Sequence, residues 1–193
     1  MNTPRPPATP AGLSAGRLIM LLFLASLGMG FAAVLVFYFV MRSRATAWPP
    51  PGTPPLPAGL WLSTVLLIGT SASLLVARHS LRQERAPAAA RALLIALLAG
   101  LAFLFSQIAN WWLAWAANLP PGRNMFSITF YLLTGLHAAH IIGGLVPLAV
   151  VTARALRGRY SAAHHAGVTY CAMYWHFLDA VWLVIFAALL LST

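Results

Sequence analysis

Asp179 stands inside an apolar run, with His176 one helical turn before it and Trp175 and Trp182 on the same stripe. His137 and His140, spaced i, i+3, occupy the preceding apolar run, one turn beyond Thr134. Ionisable groups in a bilayer are costly unless they meet protein, water or a partner. Imidazoles plus a carboxylate are ordinary ligands for a metal ion, and two intramembrane histidines can ligate haem, with His176 opposing His137 or His140. The same groups can relay protons. The preferred reading is plainer: a hydrogen-bonded clamp between helices, in which the histidines and the acid satisfy one another in a medium without water.

Depth permits such a clamp. A helix entered near Gly167 carries Asp179 about 18 Å along its axis, at about 1.5 Å per residue. An antiparallel helix entered near Phe126 carries His137 and His140 about 16 and 21 Å from the opposite face. These depths overlap in a hydrocarbon core of about 30 Å, and Gly143 and Gly144 permit close approach of the two helices. His137, His140, His176 and Asp179 are therefore predicted to meet at the contact between the last two helices.

Other chemistry finds no foothold. The sequence holds no glycine-rich phosphate loop, no H-E-x-x-H and no Ser-His-Asp arrangement in a matching context. His79, His164 and His165 fall between apolar runs and read as solvated. Cys171, without a second cysteine to pair with, reads as packing. Trp111, Trp112 and Trp115 read as helix packing or interface anchors.

The elements that position these residues follow from composition. The 193 residues are 61% hydrophobic and 7% charged, too apolar for a soluble domain. About 20 apolar residues cross a bilayer, and the uncharged runs give five spans, at about 18–41, 58–78, 92–115, 125–153 and 167–191. The fold class is an all-α membrane protein, one five-helix domain over 17–193 behind a disordered lead-in at 1–16 rich in Pro, Ala and Thr. The first span is too long for the apolar segment of a signal peptide, so a retained helix is predicted. Pro49 to Pro57 (PPPGTPPLP) ends helical structure and reads as an extended polyproline-like loop.

The charge is lopsided: 12 basic residues, all arginine, against Glu84 and Asp179. Nucleic acid is excluded as a partner because the arginines sit in short clusters between apolar runs, where anionic lipid headgroups are the natural counter-charge. Arg5, Arg17, Arg78, Arg82, Arg85, Arg91, Arg154, Arg157 and Arg159 fall on one side of the five crossings, and Arg42, Arg44 and Arg123 on the other. The positive-inside rule puts the N-terminus in the cytoplasm and the C-terminus outside. Arg78, Arg82 and Arg85, at i, i+4 and i+7, read first as a solvated face that obeys the positive-inside rule; the sharper alternative is that helix two projects past the membrane with a basic stripe. These three, with Arg154, Arg157 and Arg159, are candidate contacts for lipid headgroups or a partner.

Two segments carry a more specific signal. Ser127 to Leu145 (SITFYLLTGLHAAHIIGGL) resembles the Phe-Tyr-Leu-Leu-Thr-Gly-x-His-x-x-His-x-x-x-Gly stretch of subunit III of haem-copper terminal oxidases, and Tyr174 to Trp182 (YWHFLDAVW) resembles that family's Tyr-Trp-His-Phe-x-Asp-x-Val-Trp signature on its final helix. The first helix, LLFLASLGMGFAA, is more weakly similar, so the resemblance covers roughly residues 18 to 191. It implies a short, five-helix form of a subunit without haem or copper of its own. Those groups would belong to partner subunits I and II, in a bacterial cytoplasmic membrane. The resemblance further implies packing on subunit I, phospholipid held between helices, and support of proton uptake and of the catalytic subunit's working lifetime. By motif it marks Thr134, His137, His140, Trp175, His176, Phe177, Asp179 and Trp182 as structural or proton- and lipid-environment residues, with none catalytic.

Two departures qualify it. The family's first helix carries Glu after Ala-Ser, whereas Ala25-Ser26 is followed here by Leu27. The long form has two further N-terminal helices that complete a V-shaped lipid cleft, so here another subunit would supply the second wall. Related readings are the subunit III-like protein of a nitric oxide reductase or a quinol oxidase; a different class is a free-standing haem-binding membrane cytochrome or small transporter built on the His/Asp cluster.

Overall fold

The computed structural model describes residues 15–160 and 165–191. These form five helices: α1 (Ala15–Arg44), α2 (Gly59–Arg82), α3 (Ala86–Ala116), α4 (Met125–Leu156) and α5 (Ala166–Leu190). Each is long and apolar enough to cross a membrane. Most run further than the uncharged spans predict. Arginine is a good helix former and its long stem lets the charge reach the interface, so Arg17, Arg42, Arg44, Arg82, Arg91 and Arg154 lie inside helices that charge counting ends too early. At the start of α3 the alanine-rich APAAARA, with Pro87 in the first turn, extends the helix six residues ahead of Ala92. Ala15 and Gly16, expected in the lead-in, are already helical. The rest of that lead-in, and His164, lie outside the described residues.

The ends are built by local hydrogen bonding. Asn124 caps α4 through a reciprocal pair, its Oδ1 accepting from Ser127 N–H at 2.8 Å and its own N–H donating to Ser127 Oγ at 3.1 Å. Three helices close with a residue at positive φ, Glu84 (59°), Asn118 (66°) and Gly158 (66°). Each is followed by an N–H that reaches back five residues: Arg85 to Ser80 O, Leu119 to Ala114 O, Arg159 to Arg154 O. The first of these turns corrects the projected basic stripe. Helix α2 stops at Arg82, and the chain reverses at Glu84 so that Arg85 becomes the residue before α3. The proline segment is likewise not uniformly extended. Thr53 N–H bonds Pro50 O at 3.1 Å with Gly52 at φ 76°, a turn that suits Pro then Gly at its centre.

Helices α2, α3, α4 and α5 pack in sequence, and α2 meets α5 to close a four-helix ring, while α1 lies outside against α4 and α5. Buried Ala89, Ala92, Ala96 and Gly100 give α3 a small-residue face that lets backbones approach closely. The α2–α3 pair is tied by Ser63 Oγ to Ser106 Oγ (2.9 Å) and by Asn110 Nδ2 donating to Ser63 Oγ (3.1 Å). Pro147, inside α4, lacks the N–H that its helix would use. Donors from α5 reach the same stretch: Tyr174 OH to His140 O at 2.9 Å and Trp175 Nε1 to Gly144 O at 3.3 Å.

A Cβ at Gly100 would stand 2.8 Å from Trp175 Cη2 and 3.1 Å from Leu145 Cδ2, whereas one at Gly69 would meet nothing within 4 Å. We expect Gly100→Val to lower stability by about 1–3 kcal/mol through overpacking and Gly69→Ala to leave it unchanged or slightly raised. Thermal inactivation of the detergent-solubilised protein measures both, and equal effects would contradict the packing assigned to Gly100.

Candidate functional site

The hydroxyl residues of α2 explain where Asp179 points. Thr64, Ser71 and Arg78 recur at seven-residue intervals and so share one helical face. That face meets α5. Trp182 Nε1 donates to Thr64 Oγ1 at 2.9 Å, while Thr64 hands its proton to Leu60 O, also at 2.9 Å. Ser71 Oγ lies 3.1 Å from His176 Nδ1, and Asp179 follows His176 by one turn on α5. Arg78, seven residues further along that face, is half-buried. Three atoms of this group are enclosed without a hydrogen-bond partner: Asp179 Oδ1, His176 Nε2 and Arg78 Nε.

The histidines of α4 belong to a different neighbourhood. His137 is fully buried among the rings of Trp182 (centroids 5.0 Å apart), Phe103 (5.7 Å) and Phe31 (6.2 Å). Neither of its ring nitrogens has a partner. His140 turns Nδ1 back to Leu136 O of its own helix at 2.7 Å, which makes Nδ1 the donor, and rests its ring on Phe31 at 4.8 Å. Thr134 Oγ1 donates to Phe130 O (2.7 Å) and accepts from Trp111 Nε1 (3.0 Å), not from His137. Trp175 reaches Gly144 O, and Phe177 lies against Gly28 of α1.

The predicted four-residue cluster between α4 and α5 is thus divided. His176 and Asp179 are brought together, but toward α2; His137 and His140 face aromatic rings and their own backbone. The reason is azimuth. Depth along a helix follows from residue counting, but each residue also turns the side chain by about 100°. Trp175, Leu178 and Trp182 take the buried face of α5 and leave His176 and Asp179 at its edge. Among the described residues no group of three His, Cys, Asp or Glu is placed to hold a metal ion. Arg82, Arg85, Arg154, Arg157 and Arg159 are exposed, while Arg78 is half-buried at the polar seam.

Two contributors escape a reading that starts from ionisable groups. Ser71 meets His176, and its signal was the Thr64–Ser71–Arg78 spacing. Gln107 is fully buried, with both amide atoms unpartnered, one turn from Phe103 and one from Trp111 on α3; Ser106, Gln107 and Asn110 interrupt an otherwise apolar run.

These environments predict opposite responses. We expect His137→Phe to be tolerated within about 1 kcal/mol, because replacing an unpaired buried polar ring by an apolar one of similar shape is nearly neutral. Asp179→Leu should cost more than Asp179→Asn, since Asn keeps a hydrogen-bonding group opposite Ser71. Yield of folded, monodisperse protein from the membrane is the measurement. A His137→Phe loss as severe as that of Asp179→Leu would show that the imidazole makes a polar contact after all.

The sequence matches the family described as Cytochrome c oxidase subunit III over residues 7–192. It is 32% identical over 174 residues to cytochrome c oxidase subunit 3 of Lumbricus terrestris, covering 86% of this chain and 66% of that protein. The Synechocystis protein of the same name is 32% identical over 171 residues, 86% of this chain and 71% of the relative, and the Mus musculus protein 30% over 190 residues, 95% and 70%. The chain therefore spans about two thirds of the length of the earthworm relative and slightly more of the other two. The chain belongs to the cytochrome c oxidase subunit III family.

Proposed function

We propose that the chain is a non-catalytic subunit III of a respiratory haem-copper terminal oxidase, packed on subunit I, binding phospholipid and supporting proton uptake and stability during oxygen reduction. The match over residues 7–192 carries this reading. The site agrees with it. Trp111, Thr134, Tyr174, Trp175 and Trp182 all hydrogen-bond from one helix to another, which is what a scaffold asks of its polar residues. Haem and copper would reside in subunits I and II.

The lipid role is supported by a cleft of about 390 Å³ between α1, α4 and α5, lined by Met20, Phe23, Gly143, Pro147, Cys171 and Tyr174 among others. Its walls are apolar, suited to an acyl chain, and the exposed Arg17 at the start of α1 would meet a phosphate at the interface. Among the described residues, the eight arginines at the end of the bundle with the start of α1 and the α2–α3 and α4–α5 connections, against three at the other, support a cytoplasmic N-terminus.

The composition of the complex tests the assignment. Purified through this chain in mild detergent, the assembly is expected to carry haem and copper, with neither retained by the separated subunit. A stoichiometric Soret band on the isolated chain, lost on substituting His137 or His176, would replace the accessory role with that of a cytochrome. A second measurement exploits composition: α1 contains no acidic residue. Carboxylate-modifying reagents should leave α1 unlabelled, and turnover should be insensitive to any reaction there; inhibition mapped to α1 would contradict this.

A further inference from the structure

The proline inside α4 leaves a backbone acceptor facing the membrane. In a continuous helix the N–H of residue 147 would bond the carbonyl four residues earlier, but Pro147 has none, so Gly143 O loses its helical partner. Transmembrane helices tolerate such a proline where neighbouring groups take up the freed carbonyl. Helix α5 supplies donors on either side of it, Tyr174 OH to His140 O at 2.9 Å and Trp175 Nε1 to Gly144 O at 3.3 Å, but among the described residues no side chain donates to Gly143 O itself.

This carbonyl is open to a ligand. Gly143 and Pro147 are both exposed, and both line the cleft of about 390 Å³ between α1, α4 and α5. Gly143 has no side chain, so what it contributes to the wall is its backbone. The facing wall is aromatic: Phe23 and Tyr174 stack with centroids 6.2 Å apart, and Tyr170, one turn before Tyr174, adds a third ring nearer the mouth. Gly143 lies 11 residues before Arg154, about 16 Å of helix rise, and so deep within a hydrocarbon core of about 30 Å. A phospholipid keeps its polar groups at the interface, and an acyl chain that reaches this depth has no donor to offer the carbonyl.

We propose that the inner end of this cleft binds a lipid-soluble quinol, its ring against Phe23 and Tyr174 and one phenolic hydroxyl donating to Gly143 O. Aromatic walls favour an aromatic ring over a saturated one, and the missing side chain at Gly143 lets the ring edge approach the backbone. The preference has a sign. A quinol hydroxyl donates, whereas the carbonyls of the oxidised quinone only accept and would oppose Gly143 O, so the site retains the reduced form. This deepens the lipid-binding reading above and rests on it for a cleft open to the bilayer.

Photolabelling of the full complex in native membranes with a short-chain azido-quinol, under anaerobic conditions, tests the assignment. Label is expected on the segments of α1, α4 and α5 that line the cleft, and unlabelled quinol should compete about tenfold better than the matching quinone. Pro147→Ala returns an N–H to Gly143 O without filling the cleft, and should weaken quinol competition about tenfold while the phospholipid recovered with the subunit stays unchanged. Gly143→Leu, whose Cβ would meet only Tyr174 OH at 3.7 Å, should block labelling by occupying the cleft, with thermal stability checking that both variants fold. Equal competition by quinol and quinone, an unchanged response in Pro147→Ala, or displacement of the label by phospholipid alone would overturn the quinol site and leave the lipid-binding reading intact. Neither label nor phospholipid at the cleft of the unaltered complex would overturn both.

Discussion

Hydrocarbon gives a polar side chain no solvent to turn to, and the closure of this bundle follows from that constraint. Helices α2 and α5 are far apart in the chain, yet the ring closes between them. Their contact carries the Trp182 to Thr64 bond and the contact of Ser71 with His176, one turn before Asp179. Apolar packing alone discriminates poorly between faces of a membrane helix, since lipid is as apolar as leucine. Donors and acceptors at matching depths do discriminate. The seven-residue recurrence of Thr64, Ser71 and Arg78 sets the rotation of α2, and Trp182 and His176 set that of α5.

The interior of the ring obeys a different rule. Around His137 the neighbours are rings, and Trp182 serves both regions at once: its indole nitrogen reaches α2 while its face packs toward His137 and Phe103. A histidine with no partner at either nitrogen adds shape more than charge. Gln107, one turn from Phe103 on α3, is also buried and unpartnered. The polar residues of α3 and α4 therefore divide into those that tie helices together, such as Asn110 and Thr134, and those that fill the interior.

Much of this was legible in the sequence for a simple reason. Span number and the loop positions depend on hydropathy and charge, which are one-dimensional, and motif similarity located Thr134, His137, His140, Trp175, His176, Phe177, Asp179 and Trp182. Helix ends were less so, because arginine continues a helix as readily as it ends a membrane span, and because Glu84 adopts a positive φ that favours glycine or asparagine. Side-chain azimuth was lost altogether for the histidines. Two residues at the same depth meet only if both helices present them, and whether α5 offers Asp179 to α4 or to α2 depends on the bulk of Trp175 and Trp182, which occupy the inner face first.

The exclusion of α1 from the ring follows from the same logic. Toward its start it touches its neighbours through Gly16 against Tyr170, and in its middle through Phe31 on His140 and His137. Hydrogen bonds appear toward its far end, from Tyr38 OH to Ala188 O (3.3 Å) and from Arg42 Nη2 to Leu191 O (3.0 Å). No acid or amide lies along its membrane stretch to demand a partner; Leu27 occupies the place where the family's motif has Glu. A helix so poor in polar obligations is held at its ends and by aromatic contacts, and it stands off enough to leave the cleft beside α4 and α5. The scarcity of acids in this sequence therefore has a structural counterpart: the carboxyl of Asp179 stands one turn from the His176–Ser71 contact at a seam of the ring, and α1, which lacks an acid, remains at its margin.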